Sequence, residues 1–286
     1  MPTAGLSLVG FMADEAQAIH HLRNACVPNP GDRPDGELRN DWISAKGKIE
    51  SFQDCPSPGL PTMTPIDHSE SHIQRLLQCA WAPQLYHLLA MGASFQMVEI
   101  DPLLAFQHAV DTERSNSHCS ALTGPPTKDE LFELCFPPNI PTDDWNFSTT
   151  LGSMVIRSRS LNLGIIAAGP IVLPNLPNIA GIQFGWSLPF VHVVRYNGRC
   201  YLHNGFHRTY GAACAGAKAV PCIFRDVKTA AEAAIMPPHT ISLDVLESQR
   251  PPTVGHFVRG AAWDVRLRQV SRIINVTWSQ HSIAEE

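Results

Sequence analysis

The sequence predicts a mixed α/β fold of the α+β kind, and three observations carry that expectation. Residues 190–202 read as two short, mostly apolar strands joined at Asn197-Gly198, a dipeptide that supplies positive φ at low cost in a two-residue hairpin turn. An Ala- and Gly-rich helix over 208–217 follows, with Gly216 where a C-terminal cap belongs, and 219–224 returns as a strand. Helical spacing recurs upstream, at Ile73, Leu76, Leu77 and Ala80 and then at Leu85, Leu88 and Leu89.

From the N-terminus, a helical pattern over 15–22 leads into 27–59, a stretch rich in Pro, Gly, Asp and Asn. We read that stretch as an irregular extension wrapped on the core, with Trp42 and Phe52 as its anchors. Ser69 is placed to cap the helical run over 73–90. His68 and His72, four residues apart, either share a helix face for a metal or mark a capped helix start. A strand over 95–100 stops at Pro102, and 108–119 reads as helix or loop. Thr127 and Glu130 form a capping-box pattern that starts a helix over 128–135, and Phe136-Pro137-Pro138 ends it.

Residues 139–147 read as a loop whose Asp143 and Asp144 are either solvated or metal-binding. Strands over 154–156 and 163–173 flank Arg157-Ser158-Arg159, a basic spot that either solubilises or helps to hold a phosphate. A short helix over 228–235 ends at Pro237-Pro238, and the aromatic and basic tail closes in a strand over 272–278. No internal repeat is evident.

Composition narrows the classes of function. The chain has 286 residues, 44% hydrophobic and 16% charged, enough to bury a substantial core in one large domain or two small ones. A formal charge of -5 disfavours bulk attachment to nucleic acid. Eight cysteines without a CxxC pair fit reduced thiols and a cytoplasmic location. The first residues lack the basic start and long apolar run of a signal peptide, and Pro, Gly and Asn interrupt the apolar region 161–194, so no membrane span is expected.

The most informative stretch is the junction of strand and helix at His203-Asn204-Gly205-Phe206-His207-Arg208. Unpaired N–H groups in the first turn of a helix, together with the macrodipole, favour an anion there. Gly205 lets the backbone approach a phosphate, and Arg208 in the first turn can grip it through two parallel hydrogen bonds. His207 can donate to a phosphate oxygen or act as an acid, or it can be a structural imidazole. On the preceding strand Val191, Val193 and Arg195 share one face, and Phe190, His192 and Val194 the other.

The segment LHNGFHRTYGAACAGAKAVPCIF resembles the core signature of the ParB and sulfiredoxin-like superfamily, with Asn204, Gly205, His207, Arg208 and Val220-Pro221 as the matching residues. Val98-Glu99-Ile100-Asp101-Pro102, with Gln107 beyond, resembles the opening strand of the same domain. The resemblance implies a mixed-sheet core over 94–227 with flanking helices, an N-terminal extension over 1–93 and a C-terminal extension over 228–286. Phe206 stands where sulfiredoxins carry their catalytic cysteine, so thiol chemistry of that type is not implied. Asn204 replaces the aspartate of many relatives; its amide can bond a ribose or phosphate but cannot serve as a base.

By this resemblance the chain is expected to bind a nucleotide or phosphorylated small molecule through His203, Asn204, Gly205, His207 and Arg208. Glu99, Asp101 and His207 are the candidate catalytic groups for NTP hydrolysis or phosphoryl transfer, with magnesium entering alongside the nucleotide and Gln107 lining the site. A nucleotide-sensing regulatory subunit without catalysis is the alternative. A ParB-like DNA nuclease comes second, disfavoured by the acidic charge.

Overall fold

The structure, a computed structural model, describes residues 2–26, 33–53, 57–139, 145–158, 163–173, 176–235, 240–269 and 271–280. Cys55, Asp143, Asp144, Arg159 and the Pro237-Pro238 stop lie outside the described residues. Strands and helices alternate irregularly, giving a mixed α/β architecture with several sheets. In chain order the elements are β1 (Thr3–Ser7), α1 (Glu15–Asn24), α2 (Asp35–Glu50), β2 (Met63–Pro65), α3 (Ser71–Leu76), α4 (Ala82–Ala90), β3 (Ser94–Glu99), β4 (Ala109–Asp111), α5 (Thr112–His118) and α6 (Lys128–Cys135). There follow β5 (Trp145–Thr150), β6 (Ser153–Ser158), β7 (Leu163–Leu173), β8 (Leu176–Trp186), β9 (His192–Tyr196), β10 (Arg199–Asn204), α7 (Phe206–Cys214), β11 (Ala219–Asp226), α8 (Leu243–Leu246), α9 (Val254–Val258), β12 (Trp263–Leu267) and β13 (Arg272–Thr277).

The chain divides into two compact units, one of Met1–Pro138 with Phe190–Gln269 and one of Asn139–Pro189 with Val270–Glu286, so the interval 94–227 contributes to both. The second unit holds a three-stranded antiparallel sheet, β13-β6-β5, and the two-stranded β7-β8 ribbon. The first unit holds a three-stranded sheet, β12-β1-β4, and the five-stranded sheet β10-β9-β11-β3-β2 that positions the candidate site. In the larger sheet β9 and β11 run parallel and the other pairs antiparallel. The sheet is buried through Phe95, Val98, Val193, Val194, Leu202, Val220 and Ile223. Burying such side chains contributes about 1.5–3 kcal/mol each.

Local chemistry explains the elements next to the site. Asn197 and Gly198 take φ of 47° and 75°, the two positive values a type I′ turn requires, and Tyr196 faces Arg199 across it. α7 ends in a Schellman arrangement, in which Gly216 at φ 100° lets its N–H bond Ala213 O at 2.9 Å while Ala217 N–H reaches Ala212 O at 3.0 Å. At α6 the capping box forms as the sequence anticipates, with Thr127 Oγ1 accepting from Glu130 N–H at 3.3 Å and Glu130 accepting from Thr127 N–H at 2.7 Å.

Elsewhere the expectations need correction. Part of the supposed irregular extension is α2, 16 residues long, because Leu38, Trp42 and Ala45 recur at helical spacing and pack against Val9, Met12, Ile19 and Leu22. The run over 73–90 is two helices rather than one. Turns over 77–81 separate them, Pro83 stands in the first turn of the second, and Glu70 rather than Ser69 stands at the first N-cap. Residues 228–235 form turns, since Ala234 adopts φ 57° and ends helical propagation after Thr229 O has accepted from Ala233 N–H. The stretch 145–147, expected as loop, belongs to β5.

Thr127→Ala is expected to lower stability by about 1 kcal/mol, since it frees one end of the capping box. A shifted urea midpoint with an unchanged m-value would report it, and an unmoved midpoint would show that α6 is held by packing alone.

Candidate functional site

β10 hands over to α7 at Gly205, which occupies the N-cap position with φ 88° and ψ 20°. This left-handed conformation suits glycine. A side chain there would also collide with the residue preceding β9, because a Cβ would lie 2.8 Å from Val191 Cγ2 and 2.9 Å from Val191 Cα. The Asn204 side-chain oxygen accepts from Gly205 N–H at 2.8 Å and so holds the turn from its own loop. Phe206 turns into the core against Phe106, their rings 5.7 Å apart and nearly perpendicular. The next two residues, His207 and Arg208, remain half-buried in the first turn of α7.

Their electrostatic setting is cationic. Burial, followed by the Arg114 guanidinium, holds His207 down at about 4; Asp111 acts in the opposite direction, and His118 and Arg208 add to the lowering. Burial also pulls the Arg208 guanidinium below its ordinary value, with Arg114 contributing in the same sense. α5 and α7 bring these groups together by close packing: a side chain at Gly211 would meet Cys119 Sγ and come within 3.2 Å of Ser115 O. Asp111, the one carboxylate acting on His207, is already committed, accepting from Thr3 Oγ1 at 2.8 Å and from Arg114 N–H at 2.9 Å.

A second polar group lies beside the turn and includes two residues the sequence reading did not select, His192 and Arg225. Counting outward from the Asn197-Gly198 turn pairs Tyr196 with Arg199, Val194 with Tyr201 and therefore His192 with His203. The structure follows that register to Leu202 and then shifts, so that Asn204 faces His192. The resulting β-bulge leaves the His192 and His203 rings 4.8 Å apart. In the parallel ladder His192 faces Ile223 and Val194 faces Arg225, so Arg225 shares their side of the sheet. Burial, then His203 and Arg225, holds His192 at about 3, and burial, then Arg225, holds His203 at about 4. Hairpin counting was the sequence signal that would have found this pair.

The remaining sequence-selected residues are held by other contacts. Glu99 faces Ala219 across the β3–β11 ladder, whereas His192 and Asn204 lie level with Ile223. That four-residue offset is roughly 13 Å along a strand. The Glu99 carboxylate accepts from Thr62 N–H at 3.1 Å. Asp101 lies beyond the strand end and pairs with Arg259 at 3.5 Å. Gln107 is half-buried and follows the segment whose Leu104 bonds both Cys200 and Leu202 of β10. Arg157 is exposed on β6 in the other unit.

His72 hydrogen-bonds Asp129 at 2.9 Å and stacks on Phe132, while His68 meets the Phe95 ring edge-on. Among the described residues no group of three or more His, Cys, Asp or Glu side chains is arranged to hold a metal ion. One cavity, of about 120 Å³, lies between His72 and Phe132, and another, of about 520 Å³, between Leu22 and Arg266; neither is lined by the 203–208 turn. No helix among the described residues is long and apolar enough to cross a membrane. Compared with protein-family models, curated proteins and solved structures, the chain matches none.

The buried imidazoles set a pH dependence whose sign follows from linkage. His192, His203 and His207 titrate at about 3 to 4 when folded, below the unfolded value of about 6.5. The unfolded chain therefore takes up protons first, and stability, complete above about pH 6.5, falls as pH drops toward 4. The loss is up to about 1.4 kcal/mol per pH unit for each histidine. Melting temperatures measured from pH 7.5 to 4.5 are expected to decline, and less steeply for His207→Gln; equal slopes would place that ring in solvent. Gly205→Ala is expected to cost about 1–3 kcal/mol through its φ and the Val191 contact, read by chemical denaturation.

Proposed function

We propose that this chain binds a nucleotide or phosphorylated small molecule at the first turn of α7, on a core of the ParB and sulfiredoxin-like type. One observation carries the reading: α7 starts at a glycine that offers no capping side chain, with Arg208 in its first turn and Arg114, His118 and His207 around it. Backbone N–H groups at such a helix start, combined with a guanidinium, suit phosphate oxygens. The order hairpin, polar turn, α7 and β11, with Val220-Pro221 in the returning strand, supports the family assignment. All seven described cysteines are free thiols, which agrees with our placing the protein in the cytoplasm.

Binding without turnover is favoured over hydrolysis by the placement of the carboxylates. Phosphoryl transfer needs an acid to hold magnesium or orient a nucleophile, yet Glu99 lies near the start of β11 and Asp101 pairs with Arg259. We therefore read the protein as a ligand-sensing or regulatory component, with hydrolysis as the second reading and DNA cleavage behind it.

A thermal-shift screen of nucleotides and phosphorylated sugars, with and without magnesium, tests this. A binding compound is expected to raise the melting temperature of the wild-type chain. Arg208→Gln is expected to weaken the apparent affinity for that compound at least tenfold. Unchanged affinity in the variant, or no response to any phosphorylated compound, overturns the assignment. Magnesium-dependent phosphate release would select the hydrolytic reading instead.

A further inference from the structure

We infer that His192, His203 and Arg225 form a subsite for a tetrahedral oxyanion, on the chain's own β9, β10 and β11 and separate from Arg208. His192 Nε2, His203 Nδ1 and Arg225 Nε are all enclosed and have no hydrogen-bond partner among the described residues. Each lost partner of this kind costs free energy, so three such atoms on neighbouring strands, with Arg225 acting on both rings, need an explanation. The parallel register sets His192 and Arg225 on one side of neighbouring strands, and at the bulge after Leu202 the His203 ring lies 4.8 Å from that of His192.

The charge pattern selects the ligand. The groups acting on the two imidazoles are each other and Arg225, and no carboxylate is among them. A metal cation would be repelled by the guanidinium and would find only two imidazoles here. An oxyanion matches what the set offers: an N–H from each neutral ring in the appropriate tautomer and one from the guanidinium. Three donors suit a group with at least three oxygens, such as phosphate, better than a planar carboxylate with two. Binding such an anion would also favour proton uptake by the rings, which strengthens the same contacts. This inference does not depend on phosphate sitting at the α7 turn.

The test uses the full chain with its histidine ring carbons isotopically labelled, titrated with inorganic phosphate and, separately, with acetate at constant ionic strength. His192→Gln and His203→Gln assign the resonances. Saturable shifts of both rings with phosphate are expected, at a midpoint at least tenfold higher in Arg225→Gln and unchanged in Arg208→Gln. Absence of saturable shifts would mean that the three atoms are served by water only and overturns the subsite. Tighter binding of acetate than phosphate overturns the tetrahedral assignment.

Circular dichroism monitors folding of each variant. If Arg225→Gln does not fold, Arg225→Lys is read in its place, where an affinity equal to wild type overturns the inference and a loss of threefold or more supports it. Phosphate binding lost in Arg208→Gln but kept in Arg225→Gln would sustain the function proposed above and sink this one. The reverse pattern would do the opposite.

Discussion

The passage of Gly205 across Val191 is the contact on which the arrangement around the site depends. Val191 is tied on both sides of its backbone, donating through N–H to Cys135 O at the end of α6 and accepting through C=O from Ile223 N–H of β11. The chain leaving β10 must therefore cross a fixed backbone, and it does so at a residue without a Cβ. That crossing aims Phe206 into the core and leaves His207 and Arg208 half-buried in the first turn. One steric constraint thus fixes both how α7 is packed and which polar groups meet at its start.

The polar groups gathered there are arranged against their own burial. A buried imidazole is cheaper neutral than charged, and neighbouring guanidiniums reinforce that preference. His207 sits among Arg114, His118 and Arg208, and the His192–His203 pair is influenced by Arg225. Asp111, the carboxylate that opposes this trend at His207, spends its oxygens on Thr3 and on the N-terminus of α5. Apolar packing through Phe106, Phe206, Val193 and Val194 surrounds these groups. The proposed anion site rests on this clustering of imidazoles and guanidiniums.

The sequence made some of this legible because certain residues permit few conformations. Asn197-Gly198 allows few turns other than the one observed, Thr127 and Glu130 cap α6 reciprocally, and Gly216 ends α7. Helix α2 was hidden because its buried stripe, Leu38, Trp42 and Ala45, lies in a segment whose Gly36 and Gly47 and Pro-rich flanks suggest loop. The break between α3 and α4 was masked by apolar residues that continue through it, although Pro83 marked the new start. At the site, Gly205 and Arg208 could be selected from local chemistry alone. Arg225 could not, because its place beside His192 depends on which strand pairs in parallel with β9, a non-local fact that residue spacing does not contain.

Register also sets the acidic Glu99 of the opening strand apart from the level of the polar turn. Glu99 and the polar turn belong to the same sheet, yet β11 enters that sheet beside Glu99 and reaches the level of His192 only at Ile223. Moving Glu99 to that level would require sliding β3 against β11 by an even number of residues, which would preserve the faces but break the pairing that buries Phe95 and Val98. The core therefore opposes the shift that a metal-assisted reaction would need. A ligand held by guanidinium, imidazole and backbone N–H groups asks for no such rearrangement, and this asymmetry in structural cost is the reason to place recognition before turnover.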